Sequence, residues 1–142
     1  MTDHSFLYEQ TVPKLLTQMW KVNVELGNYD VPLRLKHLIE LRASQINQCA
    51  HCVQLHTAEA RRDGESNERL DRLIVWRFVD DFTDEEKAAL AWTEALTELD
   101  QSKDLSDIRS TLKRHFSDQQ IGALTGLVAQ INLWNRIQRS AC

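Results

Sequence analysis

The chain has 142 residues, of which 42% are hydrophobic and 27% are charged, and its formal net charge is −4 at pH 7. This length suffices for one domain with its own apolar core, and the composition is ordinary for a globular protein. A negative charge argues against a nucleic-acid surface, which is normally basic. No stretch approaches the roughly 18 apolar residues of a membrane span, and the first ten residues lack the pattern of a signal peptide. We therefore expect a cytoplasmic protein whose residues 1–142 form one domain, with no nucleic-acid or membrane partner.

Residues 12–46 are predicted to form two amphipathic helices. The apolar residues of the first recur at helical spacing and are expected to line one buried face: Val12, Leu15, Leu16, Met19, Val22 and Leu26. Gly27 is expected to end this helix. Asp30 can cap the second helix, with Pro32 in its first turn. The apolar stripe of the second helix is Leu35, Leu38, Ile39 and Ile46.

Boundary signals continue to the end of the chain. A third helix is expected from about Cys49 to Arg62, stopped by Gly64. Ser66 is a plausible cap for a segment that carries Leu70, Leu73 and Ile74. Capping-box spacing occurs at Thr83 with Glu86 and again at Ser117 with Gln120. The apolar faces that follow these boxes are Ala88, Ala91, Trp92, Ala95 and Leu99, then Ile121, Leu124, Leu127, Val128, Ile131 and Trp134.

The composition supports a helical reading of the whole chain. Only four glycines and two prolines occur, and β-branched residues rarely alternate with polar ones. We therefore expect an all-α fold, a compact bundle of about six or seven helices.

The segment SQINQCAHCVQLH, residues 44–56, carries the most informative pattern. Residues three and four apart share a helix face, so Cys49, Cys52 and His56 should form one row. The positive end of the helix dipole favours a thiolate there, and His56 could accept or relay its proton. Two adjacent thiols also permit a cycle in which a sulfenic acid condenses to a disulfide, which a reductant then reopens.

Other interpretations of the cysteines compete. Two helical cysteines can be small buried hydrophobes. A structural zinc site needs four protein ligands, and a catalytic one needs three and a water. Cys49, Cys52 and His56 supply three ligands, and the sequence has no second CxxC motif. Haem attachment requires histidine where Val53 stands, and a thioredoxin-like motif would need a βαβ context. These comparisons favour thiol redox chemistry. The third cysteine, Cys142, has no partner in the sequence and is expected to be a free thiol.

The segment LRASQINQCAHCVQLHTAEARRDGES resembles the core of the carboxymuconolactone decarboxylase-like superfamily, in its alkylhydroperoxidase AhpD-like branch. The resemblance continues through RLDRLIVWR, EEKAALAWTEALT, RHFSDQQI and INLWNRI, and so covers about residues 12–138. The decarboxylase branch generally lacks the cysteine pair, so the pair places this chain on the peroxidase side.

The resemblance implies an AhpD-like all-α fold and a homo-oligomer built from dimers, as trimers or hexamers. It implies that Cys52 attacks the peroxide, that Cys49 resolves the product and that His56 belongs to a proton relay. His51 matches a histidine that the peroxidase has between its cysteines. The implied reductant is a thioredoxin-like or lipoyl-bearing partner protein, and no metal or organic cofactor is needed.

The chain departs from the family pattern at the base of the relay. The peroxidase has a glutamate twelve residues before its first cysteine, where this chain has His37. The nearest carboxylate is Glu40, nine residues before Cys49, and either residue could act as the base. Alternatively, Glu40 is a surface acid paired with Lys36, and His37 is a surface or interface histidine.

Three functions follow as hypotheses. The first is a thiol-dependent alkylhydroperoxidase that reduces hydrogen peroxide or organic hydroperoxides through the CxxC pair. The second is a carboxymuconolactone decarboxylase-like lyase or isomerase that uses His56 and Glu40 without thiol redox. The third is a non-enzymatic oligomeric redox sensor in which the disulfide changes packing.

Overall fold

The computed structural model of the chain describes residues 7–141. The described residues form eight α-helices and one 3₁₀ helix, without a strand: α1 (Tyr8–Thr11), α2 (Pro13–Leu26), α3 (Leu33–Ile46), α4 (Ala50–Arg62), α5 (Asn67–Arg72), the 3₁₀ helix (Leu73–Phe78), α6 (Asp84–Glu98), α7 (Ser106–Lys113) and α8 (Asp118–Ser140). The all-α prediction is confirmed. The predicted number of helices, six or seven, is lower than the number of α-helices observed, because the four residues of α1 are too few to show an apolar periodicity. Cys142, predicted to be a free thiol, lies outside the described residues.

Helix α3 lies at the centre of the fold and packs against α4, α6 and α8. Leu35 and Ile39 join one apolar cluster with α6, α7 and α8, and Leu38 and Leu41 join a second with α4, α5 and the 3₁₀ helix. Full burial of each such side chain contributes about 1.5–3 kcal/mol. Because apolar side chains surround α3 on two sides, a polar residue of this helix such as Glu40 is also drawn into the interior.

The predicted helix caps are largely confirmed. In α6 the Glu86 amide donates to the Thr83 hydroxyl over 3.1 Å, and the Thr83 amide donates to the Glu86 carboxylate over 2.9 Å. Ser117 and Gln120 form the same reciprocal pair at the start of α8, and Ser66 caps α5. The expected cap of α3 is wrong: the backbone of Pro32 is still extended, so Pro32 itself occupies the cap position and Asp30 lies outside the helix.

The predicted burial of the first apolar face is wrong. Helix α2 has no buried residue, and Leu15 and Val22 are about half exposed. The helix packs against α8, where the Gln130 side chain donates to the Met19 carbonyl over 2.7 Å. The periodicity correctly gave the apolar side of the helix, but it carries no information on which element covers that side.

Two apolar residues of predicted helical segments are also exposed. Ile74 lies in the 3₁₀ helix, where the spacing of an α-helix no longer applies, and Leu99 adopts a left-handed conformation (φ 48°) at the end of α6. In contrast, Leu124, Leu127, Val128 and Ile131 of α8 are buried as predicted.

Helix α8, at 23 residues, is the longest described helix, yet neither it nor any other helix in residues 7–141 combines the length and apolar character needed to cross a membrane.

Candidate functional site

The turn between α3 and α4 places the first cysteine at a helix start. Helix α3 ends at Ile46, and Gln48 takes a left-handed conformation (φ 53°) that reverses the chain. Cys49 then occupies the N-cap of α4. The predicted third helix, from about Cys49 to Arg62, is confirmed at both its start and its end.

Helix α8 fixes this turn through amide side chains. Asn47 donates from Nδ2 to the side-chain oxygens of Asn132 and Asn135, each over 2.9 Å. Asn135 is fully buried and donates to the Ser44 hydroxyl over 3.0 Å. Arg139 donates to the Gln48 carbonyl over 3.1 Å. These bonds hold the backbone before Cys49 in place, which explains why polar residues occupy an otherwise apolar helix face.

The two cysteines are joined by a disulfide. Their Cα atoms are 5.2 Å apart, and the Cys52 amide donates to the Cys49 Sγ over 3.3 Å. Both residues are buried. When the disulfide is reduced, the free amides and positive dipole end at the start of α4 favour the thiolate form.

A cavity of about 260 Å³ opens beside this disulfide. Four helices contribute to its walls: Trp20 and Asn23 of α2, Lys36 and Glu40 of α3, His51, Cys52, Leu55, His56 and Glu59 of α4, and Trp134 and Gln138 of α8. Cys49 lines a neighbouring cavity of about 230 Å³, whose rim it shares with the exposed His51. The structure therefore brings Cys52, His56, His51 and Glu40 to one cavity.

Glu40 is buried, so the expectation of a surface acid paired with Lys36 is wrong. Its Oε1 atom has no hydrogen-bond partner within the described structure, and no ion pair within 4.0 Å joins it to Lys36 there. Burial raises the pKa of Glu40 to about 7, against a weaker lowering by Lys36. A carboxyl group with this pKa can both give and take a proton near neutral pH.

His56 has two carboxylates beside one ring nitrogen. Its Nδ1 lies 3.3 Å from Glu59 Oε2 and 3.8 Å from Glu40 Oε2. Burial lowers the pKa of His56, and the negative charge and hydrogen bond of Glu59 oppose that effect. Glu59 is not among the site residues predicted from the sequence, although its position three residues after His56 places it on the same helix face.

His37 is paired elsewhere. Its Nε2 lies 2.6 Å from Asp63 Oδ2, at the end of α4, and this hydrogen bond holds the pKa of Asp63 below its ordinary value. The His37 ring is buried, so the expectation of a surface histidine is wrong. It is absent from the walls of the cavity beside Cys52. The two relay candidates of α3 therefore differ in place: Glu40 faces the cavity and His37 faces Asp63.

The described residues contain no group of three or more His, Cys, Asp or Glu side chains arranged to hold a metal ion.

Comparison with known proteins decides the family. The model of the carboxymuconolactone decarboxylase family matches residues 10–95, which include α2 to α5 and the whole cysteine motif. The chain belongs to this family. The resemblance drawn from the SQINQCAHCVQLH segment is thereby confirmed.

Relatives within and near this family cover most of the chain. It is 36% identical to the uncharacterized protein YdfG of Bacillus subtilis over 130 residues, which is 92% of this chain and 88% of YdfG. A solved structure from Agrobacterium tumefaciens, a protein of unknown function suggested to be the antioxidant defence protein AhpD, has 35% identity and a TM-score of 0.88. The match covers 95% of this chain and 92% of that one.

A more distant structure shares the fold. An uncharacterized peroxidase-related protein from Silicibacter sp. TM1040 has 16% identity and a TM-score of 0.80, covering 95% of this chain and 78% of that one. The family match and these neighbours establish an AhpD-like all-α fold for this member of the carboxymuconolactone decarboxylase family.

Proposed function

We propose that the protein is a thiol peroxidase that reduces hydroperoxides through a dithiol–disulfide cycle of Cys49 and Cys52. The observation that carries this proposal is the position of the buried disulfide. It lies at the start of α4, and Cys52 lines the same cavity as His56 and Glu40. Membership of an enzyme-containing family with an AhpD-like fold supports a peroxidase-like role.

The first step oxidises Cys52. His56 takes the proton of the Cys52 thiol, and the thiolate attacks one peroxide oxygen, so an S–O bond forms as the O–O bond breaks. The leaving alkoxide receives a proton and departs as an alcohol, or as water when the substrate is hydrogen peroxide. Glu40, buried, half protonated near neutral pH and lining the same cavity, is the group that we propose supplies this proton, and the thiol proton left on His56 later restores it.

The second step resolves the sulfenic acid. The Cys49 thiolate attacks the Cys52 sulfur and releases water after protonation, which forms the disulfide. A dithiol then reduces it by exchange, losing two electrons and two protons as its own disulfide forms. We propose a thioredoxin-like or lipoyl-bearing protein as this reductant. A reducing cytoplasm would support the cycle, and a homo-oligomer would cover the exposed apolar residues of α2.

Peroxide turnover by a Cys52→Ser variant tests the proposal. The assay supplies cumene hydroperoxide or hydrogen peroxide with a small dithiol such as dithiothreitol and measures peroxide loss. We expect turnover to fall at least about a hundredfold, because the nucleophile is removed. Cys142→Ser is the matched control, since it removes the one cysteine outside the CxxC motif, and it should retain turnover. Unchanged turnover in Cys52→Ser would refute the proposal.

A second candidate function is a lyase or isomerase of the decarboxylase type. The observation in its favour is Glu40, whose raised pKa and unpartnered Oε1 provide acid–base chemistry that needs no thiol. This function predicts that activity on a lactone acid survives replacement of both Cys49 and Cys52 by alanine. The peroxidase proposal predicts that the same double variant has no peroxide turnover.

A further inference from the structure

The Nδ1 atom of His56 can donate only one proton, yet two carboxylates lie beside it. Glu59 Oε2, at 3.3 Å, is within hydrogen-bond distance, whereas Glu40 Oε2, at 3.8 Å, is outside it. Glu59 is therefore the residue that fixes this side of the ring in the oxidised protein.

The position of Glu59 suits an orienting group. It lies three residues after His56 on the rigid helix α4, so the backbone sets the spacing of the two side chains. Its side chain is 28% exposed, whereas that of Glu40 is 10% exposed. Glu59 can therefore keep a hydrated negative charge beside the ring, whereas burial disfavours charge on Glu40.

The hydrogen bond also determines which nitrogen can act as a base. An ionised carboxylate only accepts, so His56 must carry a proton on Nδ1 to make this bond. In the neutral ring the lone pair is then on Nε2, the ring nitrogen that is not bonded to Glu59. Side chains on a helix lean toward its amino-terminal end, where Cys52 lies one turn earlier on the same cavity wall.

We propose that Glu59 is a positioning residue for the peroxidase reaction: it holds the Nδ1–H tautomer of His56 so that Nε2 takes the Cys52 proton. This inference rests on the proposed function. It assigns different tasks to the two carboxylates, because Glu59 orients the imidazole and Glu40 stores the proton.

The charged groups around His56 determine the expected pH dependence. Lys36, His37 and Glu40 of α3 and Glu59 of α4 surround it. The titratable His51 of α4 lines the same cavity, whereas the cavity residues of α2 and α8 carry no charge. Glu59 raises the pKa of His56, against the larger lowering by burial. Removal of its charge should therefore lower the pKa of His56 and move the acidic limb of kcat/KM to lower pH.

The experiment compares Glu59→Ala and Glu59→Gln with Glu98→Gln, a matched loss of one negative charge at an exposed site in α6. We expect Glu59→Ala to lower kcat about tenfold or more, part of the ~10²–10⁴-fold that acid–base catalysis contributes, with KM within about twofold. Glu59→Gln should lose less, because its amide oxygen still accepts from Nδ1–H, and its acidic limb should move down. Glu98→Gln should match the unmodified protein.

A structural readout keeps the proposal testable if Glu59→Ala fails to fold. Long-range ¹H–¹⁵N spectra of the unmodified protein should show the neutral His56 ring protonated on Nδ1. A ring protonated on Nε2, or kcat and pH profiles of Glu59→Gln that coincide with those of Glu98→Gln, would overturn the role of Glu59. The proposed function would stand in that case if Cys52→Ser remained inactive, and it would fail separately if Cys52→Ser turned over peroxide.

Discussion

Two of the clusters in which carboxylates are withdrawn from solvent treat them differently. The Arg69 cluster consists of Arg69, Glu65 and Glu86, beside α5 and α6. Arg69 donates to Glu65 over 2.7 Å and makes a two-pronged contact with Glu86. The Glu40 cluster consists of Glu40, His56 and Glu59, beside the disulfide. Within the described structure, the only hydrogen bond between these three side chains joins His56 to Glu59, and Glu40 Oε1 has no partner.

The pKa values of two glutamates show the consequence. Burial raises the pKa of both Glu86 and Glu40 and is the largest influence on each. For Glu86, hydrogen bonds from Arg69 and Thr83 overcome it, so its pKa lies below the ordinary value. Glu40 has no such donor, and its pKa rises to about 7. A buried carboxylate with its partners in place serves stability, whereas one kept without them is available for proton transfer.

Loss of the cation from the Arg69 cluster should have the largest effect on stability. Arg69→Met leaves Glu65 and Glu86 buried without their main partner, so we expect the free energy of unfolding to fall by about 3–5 kcal/mol. Peroxide turnover per folded molecule should stay unchanged, because the cluster is outside the cavity. Urea unfolding measures the first quantity and the dithiol-coupled assay the second.

Arg62→Met provides the control for this variant. Arg62 is 71% exposed and pairs with Asp63 over 3.5 Å, and such surface pairs contribute at most about 1 kcal/mol. Equal losses of stability in the two variants would show that the Arg69 cluster is not the stabilising network that its geometry indicates.

Neutralising Glu40 should raise the free energy of unfolding, whereas loss of Arg69 should lower it. The pKa of Glu40 is about 7 in the folded protein and 4.5 ordinarily, so the folded state holds this proton more tightly. Ionised Glu40 therefore costs stability, with no cost below about pH 4.5 and a cost that grows to its full value above about pH 7. Glu40→Gln should stabilise the protein by about 1–3 kcal/mol at pH 8 and leave it unchanged near pH 4.5.

The same variant should lose peroxide turnover, about tenfold or more, because glutamine cannot store the proton. Urea unfolding at both pH values tests the stability and the dithiol-coupled assay tests the activity. Glu98→Gln, which removes an equal charge from the surface, should show neither effect. A Glu40→Gln difference in stability that does not change with pH would contradict the assigned role of burial.

The sequence predicted features that depend on neighbouring residues better than it predicted which residues are buried. Capping boxes are local, so Thr83 with Glu86 could be read from spacing alone. The α4 helix and its cysteine row followed from spacing and one glycine. Whether a residue is buried depends instead on elements distant in sequence, since Glu40 is enclosed by residues of α2, α4 and α8. The same limit explains the wrong prediction for α2, whose apolar side is clear in the sequence although its covering partner is not.

His37 combines features of both clusters and should show the smallest effect. Its ring is buried as Glu40 is, but its Nε2 is bonded to Asp63, and its Nδ1 has no partner within the described residues. Because His37 does not line the cavity beside Cys52, we expect His37→Gln to keep peroxide turnover within about twofold. It should lose some stability, although less than Arg69→Met.

Asp63→Asn weakens the same hydrogen bond from the exposed side and should match His37→Gln in both assays. A tenfold loss of turnover in His37→Gln, with Asp63→Asn unaffected, would instead assign the relay to the histidine that occupies the position of the family glutamate.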